Sequence, residues 1–482
     1  MQKETRPMPQ PAAPVADPIQ RFARLPWQDE ASADELLIDG DPFRRPTRAK
    51  DLPFIPLDRP VPLGRLASNT SLVLHRLLFN AYETDLLFLP DCARAAPDWN
   101  GFDSFYGEES RAAAAAARPA LEHLAFAGLE AEIDITGRWS EDLALAYFRD
   151  FLEAERRLAD ADDLADPIVA ALLNSADPRA ATRHYLVQMA PDFLSEASAM
   201  ARLAPGAYGP LQSALFNVLV DEYGAAVHDA KHSTLFESTM RSVGLDPRTH
   251  AYWQFYQPSS LALANYFHYI AADKRHVFRY LGALFYTEAS LVNVTGRQAR
   301  ALRRVFGNDV DARYFDEHHH IDRHHSRMVL TRLIEPAIAA YGARAIHGIL
   351  QGFEEFRLLQ QRADRDLIDQ ISWAGAVARN DPKVAPFIDR WRAETGAVET
   401  FRETLDERST THIHPDDRLL YLETGSMDFF PLAGVELKLQ AGDYLFIPQG
   451  RLHGSIVTAP ECLYHQPILN PAEAATLWEP AA

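Results

Sequence analysis

Cysteine is nearly absent: Cys92 and Cys462 are the only two in 482 residues. Two thiols cannot build a disulfide framework, a four-cysteine zinc site or a cysteine-ligated iron–sulfur cluster. Long apolar runs are missing as well, and none approaches the ~20 residues of a membrane-spanning helix. The opening MQKETRPMPQPAAPVADP lacks the apolar stretch of a secretory signal. Basic residues are in deficit, 48 Lys and Arg against 67 Asp and Glu, for a formal net charge of -19. A phosphate backbone calls for a basic footprint, so nucleic acid is not an expected partner, and the acidity reads as a solubilising surface. These absences leave a cytoplasmic enzyme, free of membrane and nucleic acid, as the expectation.

What is present is a 47% hydrophobic content, ample for sizeable cores, in a length that suggests about three domains. Residues 1–60 are rich in proline and charge, lack a stable period, and read as a partly disordered arm draped over the body. Helical pattern begins at 66–87 and returns at 108–126. There the alanine run 112–117 favours a packed helix and Pro119 predicts a break or kink. Residues 61–139 thus form an N-terminal helical unit. Over 140–385 helical period dominates, in segments near 141–158, 178–203, 211–227, 259–270, 277–293, 311–334 and 345–360. Breakers such as Asp177-Pro178, Gly209-Pro210 and Gln257-Pro258 separate them. A last helix is expected near 385–394. The period then changes to short strands around 421–426, 435–440, 444–447 and 455–458, predicting a small β-barrel or jelly roll over 386–482. The fold class is multidomain α plus β.

Two unrelated ligand patterns stand out. The first is His318-x3-Asp322-x2-His325 within a helical segment. Residues at i, i+4 and i+7 share one helix face, so the three side chains can aim at one spot. Imidazole plus carboxylate without thiolate suits iron or another first-row metal. Two metals need further ligands, and carboxylates on other helices are the natural supplement. Glu196, Glu222 and Glu288 each sit among core-like residues, where an isolated carboxylate costs several kcal/mol without a metal, a partner or a proton. His232 is a further candidate, ten positions after Glu222. An unbroken helix would separate the two by ~15 Å, so either it bends near Gly224 or one residue binds only in some states. His228 ranks below it. Glu317, His319, His320 and His324 read as solvated or supporting neighbours. Each acid or histidine alone could be a polar stripe or a hydrogen-bonded core residue; their ordered combination favours the metal.

The second pattern is His412-x-His414 followed by Gly442-x5-Pro448-x-Gly450-x2-His453. Alternate strand residues share a face, and the glycine–proline turn aims His453 inward. These residues match the two cupin motifs with departures. Asp406 stands at the usual opening glycine, Arg418 or Leu419 at the usual glutamate, and Val457 at the usual asparagine. Three neutral imidazoles with open positions suit Fe(II) that binds O2 or substrate. His465 is expected to lie behind the ligands at most. A sugar-binding or structural cupin without metal is the bland alternative.

The order Glu196, Glu222-Tyr-Gly…His232, Glu288, His318-x3-Asp322-x2-His325 resembles the haem-oxygenase-like diiron oxidases, helical bundles that bind two irons instead of haem. The resemblance implies that Glu196, His232, Glu288, His318, Asp322 and His325 are iron ligands, with Glu222 the extra carboxylate of the N-oxygenating branch. With a cupin behind it, nearly the whole chain resembles the multidomain N-nitrosourea-forming iron oxygenases of the kind found in streptozotocin biosynthesis. That resemblance implies two irons in the helical domain and one in the cupin, O2 as co-substrate, an external electron donor or reductase, and a homodimer formed with help from the N-terminal unit. It implies that the helical site N-hydroxylates Nω-methyl-L-arginine and that the cupin, through His412, His414 and His453, rearranges the product to an N-nitrosourea. The alternatives are another diiron amine N-oxygenase or oxidative decarboxylase with a separately acting cupin, and a ligand-sensing cupin fusion. No catalytic residue beyond the ligands is assigned.

Overall fold

The computed structural model describes residues 16–29, 41–91, 96–159, 161–393 and 398–479. Residues 1–15 and 30–40 of the expected arm, and Cys92, lie outside these; Cys462 is buried and unpaired. Where the arm is described it is built structure. Helix Ala16–Ala23 inserts Ile19 and Phe22 into the largest core cluster, beside Trp27 and Phe43. The Trp27 indole donates to Ser110 Oγ at 3.0 Å, and the Trp253 indole donates to the Pro46 carbonyl at 2.8 Å. Aromatic anchors in a proline-rich segment carry no helical or strand period, which is why the sequence pattern there reads as disorder.

The helices start where their caps predict. Ser68 caps Asn69–Glu83, and Asp177 caps Pro178–Phe193 with proline at the first position. Glu108–Phe126 is one helix across Pro119, so the expected break or kink does not end it; buried Ala113, Ala114, Ala117 and Leu121 lie on both sides of the proline. Two long helices form the spine, Val277–Phe306 and Ala343–Ala376. They touch backbone to backbone. A Cβ on Gly282 would overlap the Ile349 carbonyl, and one on Gly352 would overlap the Arg279 carbonyl. Small residues here let the helices approach closely.

Two expected helices are interrupted at the candidate site, and a third changes pitch just after it. The segment 178–203 breaks after Phe193, with Ala197 in a left-handed turn before a short helix Ser198–Ala201. The segment 211–227 ends at Glu222. Two 3-10 turns follow, with Gly224, Ala225 and Ala226 at positive φ, before a new helix His232–Ser242. A side chain at Gly224 would collide with the Ala230 backbone, so only glycine allows this doubling back. Helix Arg313–Met328 runs into a π-helical stretch, Val329–Ile334.

After helix Ala385–Ala393 come eight antiparallel strands: β1 Glu399–Thr404, β2 Arg408–Ile413, β3 Arg418–Thr424, β4 Ser426–Leu432, β5 Val435–Gln440, β6 Tyr444–Ile447, β7 Leu452–Val457 and β8 Glu461–Gln466. They make two four-stranded sheets, ordered β1-β8-β3-β6 and β2-β7-β4-β5, around a core of Leu420, Leu422, Met427, Phe429 and Leu445. This is a two-sheet, cupin-like β domain behind a helical bundle. The helix Ala343–Ala376 extends well past its predicted end and docks onto that domain. Gln370 bonds the Pro431 and Leu452 backbone, and Arg451 pairs with Asp366 at 3.2 Å.

Candidate metal centres

In the helical body, His318, Asp322 and His325 point inward from one face and are 2%, 0% and 0% exposed. Each imidazole is oriented by the nitrogen it does not present to the cluster. His318 donates from Nδ1 to the Tyr314 carbonyl at 2.8 Å, freeing Nε2. His325 donates from Nε2 to Asp221 at 3.0 Å, freeing Nδ1. Such partners hold a metal-binding imidazole in one tautomer.

The carboxylates arrive from other elements. Glu288 stands on Val277–Phe306, and Glu222 is the last residue of its helix. Glu196 lies in the turn after Phe193, not within a helix as its apolar neighbours suggest, and accepts from the Tyr314 hydroxyl at 2.8 Å. The doubling back at Gly224 removes the ~15 Å separation, and His232 Nδ1 lies 2.7 Å from Glu222 Oε2.

Two groups of potential ligand atoms result, each with all atoms within 4.8 Å of one another: Glu196, Glu222, His232 and His318; and Glu222, Glu288 and His325. Glu222 belongs to both. Asp322 lies beside them, its carboxyl influenced by His318, Glu288, Glu222 and His325.

Burial raises the Asp322 carboxyl well above the usual carboxylate range; the imidazoles oppose this, and Glu288 and Glu222 add to it. Burial alone would depress His325, yet Glu288, Asp221 and Glu222 outweigh it and hold the imidazole at about 10. His318 is raised against its burial by Glu196, Asp322 and Glu222.

The donor set fits a pair of metal ions. Both Asp322 oxygens, Glu222 Oε2, Glu288 Oε2, Glu196 Oε2, His232 Nδ1 and His325 Nδ1 are buried without a hydrogen-bond partner. His232 Nδ1 and Glu222 Oε2 are close but misaligned for a hydrogen bond, as two lone pairs aimed at a shared cation would be. Unsatisfied buried carboxylates on this scale need a counter-charge.

In the β domain, His412 on β2 faces His453 on β7 across the ladder, and His414 follows two residues on. The three rings lie 4.5–5.0 Å apart. His412 donates from Nδ1 to the Thr410 carbonyl and His453 to the Arg451 carbonyl, each at 3.0 Å. His414 and His453 keep Nε2 buried and unpartnered. Burial depresses all three imidazoles, His453 to about 4, so they are neutral and can donate lone pairs. This set fits one metal ion with open positions.

The other expected residues sort by exposure. His228 is exposed in its 3-10 turn, and Glu317, His320 and His324 are exposed. His319 is half-buried against Gly296. His465 lies in the opposite sheet and bonds Glu423 and Thr400, so it does not support the three histidines. Asp406 has φ 66, which explains the glycine preference at that turn; Leu419 and Val457 are core. Arg418 pairs with Glu399, and among the described residues no carboxylate groups with the three histidines.

Sequence reasoning missed four supporting residues: Asp221, Tyr314, Thr410 and Arg48. Arg48 comes from the arm and donates to the Thr410 carbonyl at 2.7 Å, the same oxygen that orients His412. It also missed Asp192, whose carboxyl is pushed up to about 7 by burial and by Glu196 and Glu222. Asp221 and Asp192 were readable as acids beside or one turn from the candidates; Arg48 left no local signal.

Residues 183–360 match the model of a haem-oxygenase-type family described as iron-containing redox enzymes, a span that contains every candidate ligand of the helical body. A nitrosourea synthase from Streptomyces achromogenes subsp. streptozoticus is 41% identical over 456 residues, covering 94% of each chain. With that identity over almost the full length, and two donor sets fit for iron, the chain belongs to the nitrosourea synthase family and is an iron-dependent oxygenase.

Proposed function

We propose that this protein makes an N-nitrosourea from Nω-methyl-L-arginine in two steps at two sites, as a homodimer supplied with electrons by an external donor. The observation that carries this reading is the coexistence of a carboxylate-rich cluster opening on a cavity and a separate three-imidazole cluster in one chain. Glu196, Glu222, His232, Glu288, His318, Asp322 and His325 would hold two irons, and His412, His414 and His453 a third. Iron at these positions would supply the redox equivalents for O2 chemistry on the guanidine nitrogens.

The chain's own contribution is positioning. A cavity of about 380 Å³ adjoins the helical cluster and is lined by Glu196, Glu222, Glu288, His318 and Asp322. Glu155, Asp166 and Asp364 on its wall away from the cluster attract a cationic substrate, and its buried walls exclude bulk water. Asp192 stands on the cavity wall beside the cluster, a carboxyl placed to carry a proton there. At the β site, Thr410 and Arg451 carbonyls fix the imidazoles, and the absent glutamate leaves room for a chelating hydroxyguanidine.

The test is incubation of Fe(II)-loaded protein with Nω-methyl-L-arginine, reductant and O2, followed by mass spectrometry. Hydroxylated arginine and an N-nitrosourea are expected. Turnover of other amines with no guanidine product would favour a different N-oxygenase.

A further inference from the structure

The cavity beside the helical cluster continues past the candidate ligands. Glu288, Asn293 and Gln298 all line it from the helix Val277–Phe306, so it follows that helix for about 15 Å. Among the described lining residues there is no Lys or Arg, whereas Glu155, Asp166 and Asp364 join the wall away from the cluster.

Glu155 is out of place by pattern. On helix Glu141–Ala159 the inward stripe is Leu145, Phe148 and Leu152, and Glu155 takes the next inward position. A carboxylate where the stripe calls for an apolar side chain marks a local rule broken at a cavity wall. Asn293 is 7% exposed and donates from Nδ2 to Glu155 Oε2 at 3.1 Å. The Asn293 carbonyl oxygen is buried with no hydrogen-bond partner. The Asn293 carbonyl is thus an acceptor without a donor on a wall whose described residues include no Lys or Arg; the buried Arg297, one turn on, donates to the Leu158 carbonyl instead. Burial pushes the Glu155 carboxyl upward, opposed by the Asn293 hydrogen bond and Arg297 and assisted by Asp166.

We infer that Glu155 and the Asn293 carbonyl form a subsite for a primary ammonium group, farther along the cavity than the candidate ligands. Asn293 stands about 7.5 Å along the helix axis from Glu288 and about 140° around it, which puts the two Cβ atoms roughly 10 Å apart. The α-nitrogen of an extended arginine lies about 7 Å from its guanidine carbon, counted along single bonds near 1.5 Å. An ammonium brings three donors, and the carboxylate and the amide carbonyl supply matching acceptors. Lining hydroxyls such as Tyr286 are the donors left for the α-carboxylate. The subsite makes the helical domain select free amino acids over guanidines that lack an α-amino group. It rests on the guanidine substrate proposed above.

The experiment is anaerobic calorimetric titration of the Fe(II)-loaded full chain with Nω-methyl-L-arginine and with its deamino analogue, 5-(N′-methylguanidino)pentanoate. Wild type should prefer the amino-bearing ligand. Glu155→Gln should weaken Nω-methyl-L-arginine about 10- to 100-fold, the worth of a lost charged hydrogen bond, and change the analogue less than about twofold. The titration stoichiometry reports the folded fraction, so misfolding is not mistaken for weak binding. Equal effects on both ligands in folded variant, or no effect on either, overturn the subsite while leaving the substrate reading intact. Failure of wild type to bind either guanidine overturns the substrate reading, and the subsite with it.

Discussion

The residue that most rewards a single substitution is Asp322. It is fully buried, neither oxygen has a partner, and it lies among four potential ligands. Without metal its carboxyl destabilises the fold, so metal-free Asp322→Ala should be more stable than metal-free wild type by about 1–3 kcal/mol. With iron the order should reverse, because wild type gains binding free energy that the variant cannot. Thermal melts with chelator and with Fe(II) read both effects; a variant less stable in both conditions would contradict this role. Arg48 offers a second test at a distance. Its bond to the Thr410 carbonyl supports the orientation of His412, so Arg48→Met should lower metal affinity of the β site about 10- to 100-fold while leaving the helical site unchanged. Iron quantified per site by spectroscopy checks it. His318, Asp322 and His325 were legible as a shared face from spacing alone, since helix periodicity is local. Arg48 was not, because its target lies 362 positions away and no period links the two.

Among the elements, the stretch between Glu222 and His232 decides whether the helical cluster can close. Two 3-10 turns, three consecutive residues at positive φ and exposed side chains at 225–230 give it few contacts to hold it. Segments of this kind open at low free energy. Amide hydrogen exchange over 221–236 should be fast without iron and slow by an order of magnitude or more with it; equal protection in both states would show that the segment is rigid regardless of metal. The sequence left two ways to reconcile Glu222 with His232, a bend near Gly224 or a residue that binds only in some states, and the structure takes the bend. The sequence did not show the route, which depends on Gly224 meeting the Ala230 backbone. Glu196 was misjudged for the same reason. Apolar neighbours suggested a helix, and a left-handed Ala197 ends it. Periodicity reports which face is buried but does not see where tertiary contacts stop a helix.

For the whole molecule, the two donor sets lie on different folds and should fail separately. His412→Ala with His414→Ala should accumulate N-hydroxylated arginine and abolish the nitroso product. His318→Ala with Asp322→Ala should stop hydroxylation yet convert supplied dihydroxylated substrate. Wild-type product rates from the first variant would remove the β site from the reaction. The arm exposes Phe54 and the N-terminal unit exposes Leu87, Leu89 and Trp99, apolar side chains available to a partner in the expected homodimer. Leu87→Asp with Leu89→Asp should shift a dimer to monomer in light scattering. No helix among the described residues is long and apolar enough to cross a membrane. The bundle and the cupin-like domain were both legible, one from helical period and one from its glycine–proline–histidine motif. The architecture of the arm was not, since it folds through scattered aromatics.

The long helix Ala343–Ala376 places Asp364 at the cavity, bonds Asp366 and Gln370 to the β domain, and brings Trp373 to 6.3 Å from the His453 ring. One added or deleted residue between Asp364 and Gln370 would turn one end against the other by about 100°. Natural insertions should therefore be absent from this stretch however much the surrounding loops vary in length. Chimeras that graft a different cupin here should succeed only when the register of the helix is kept.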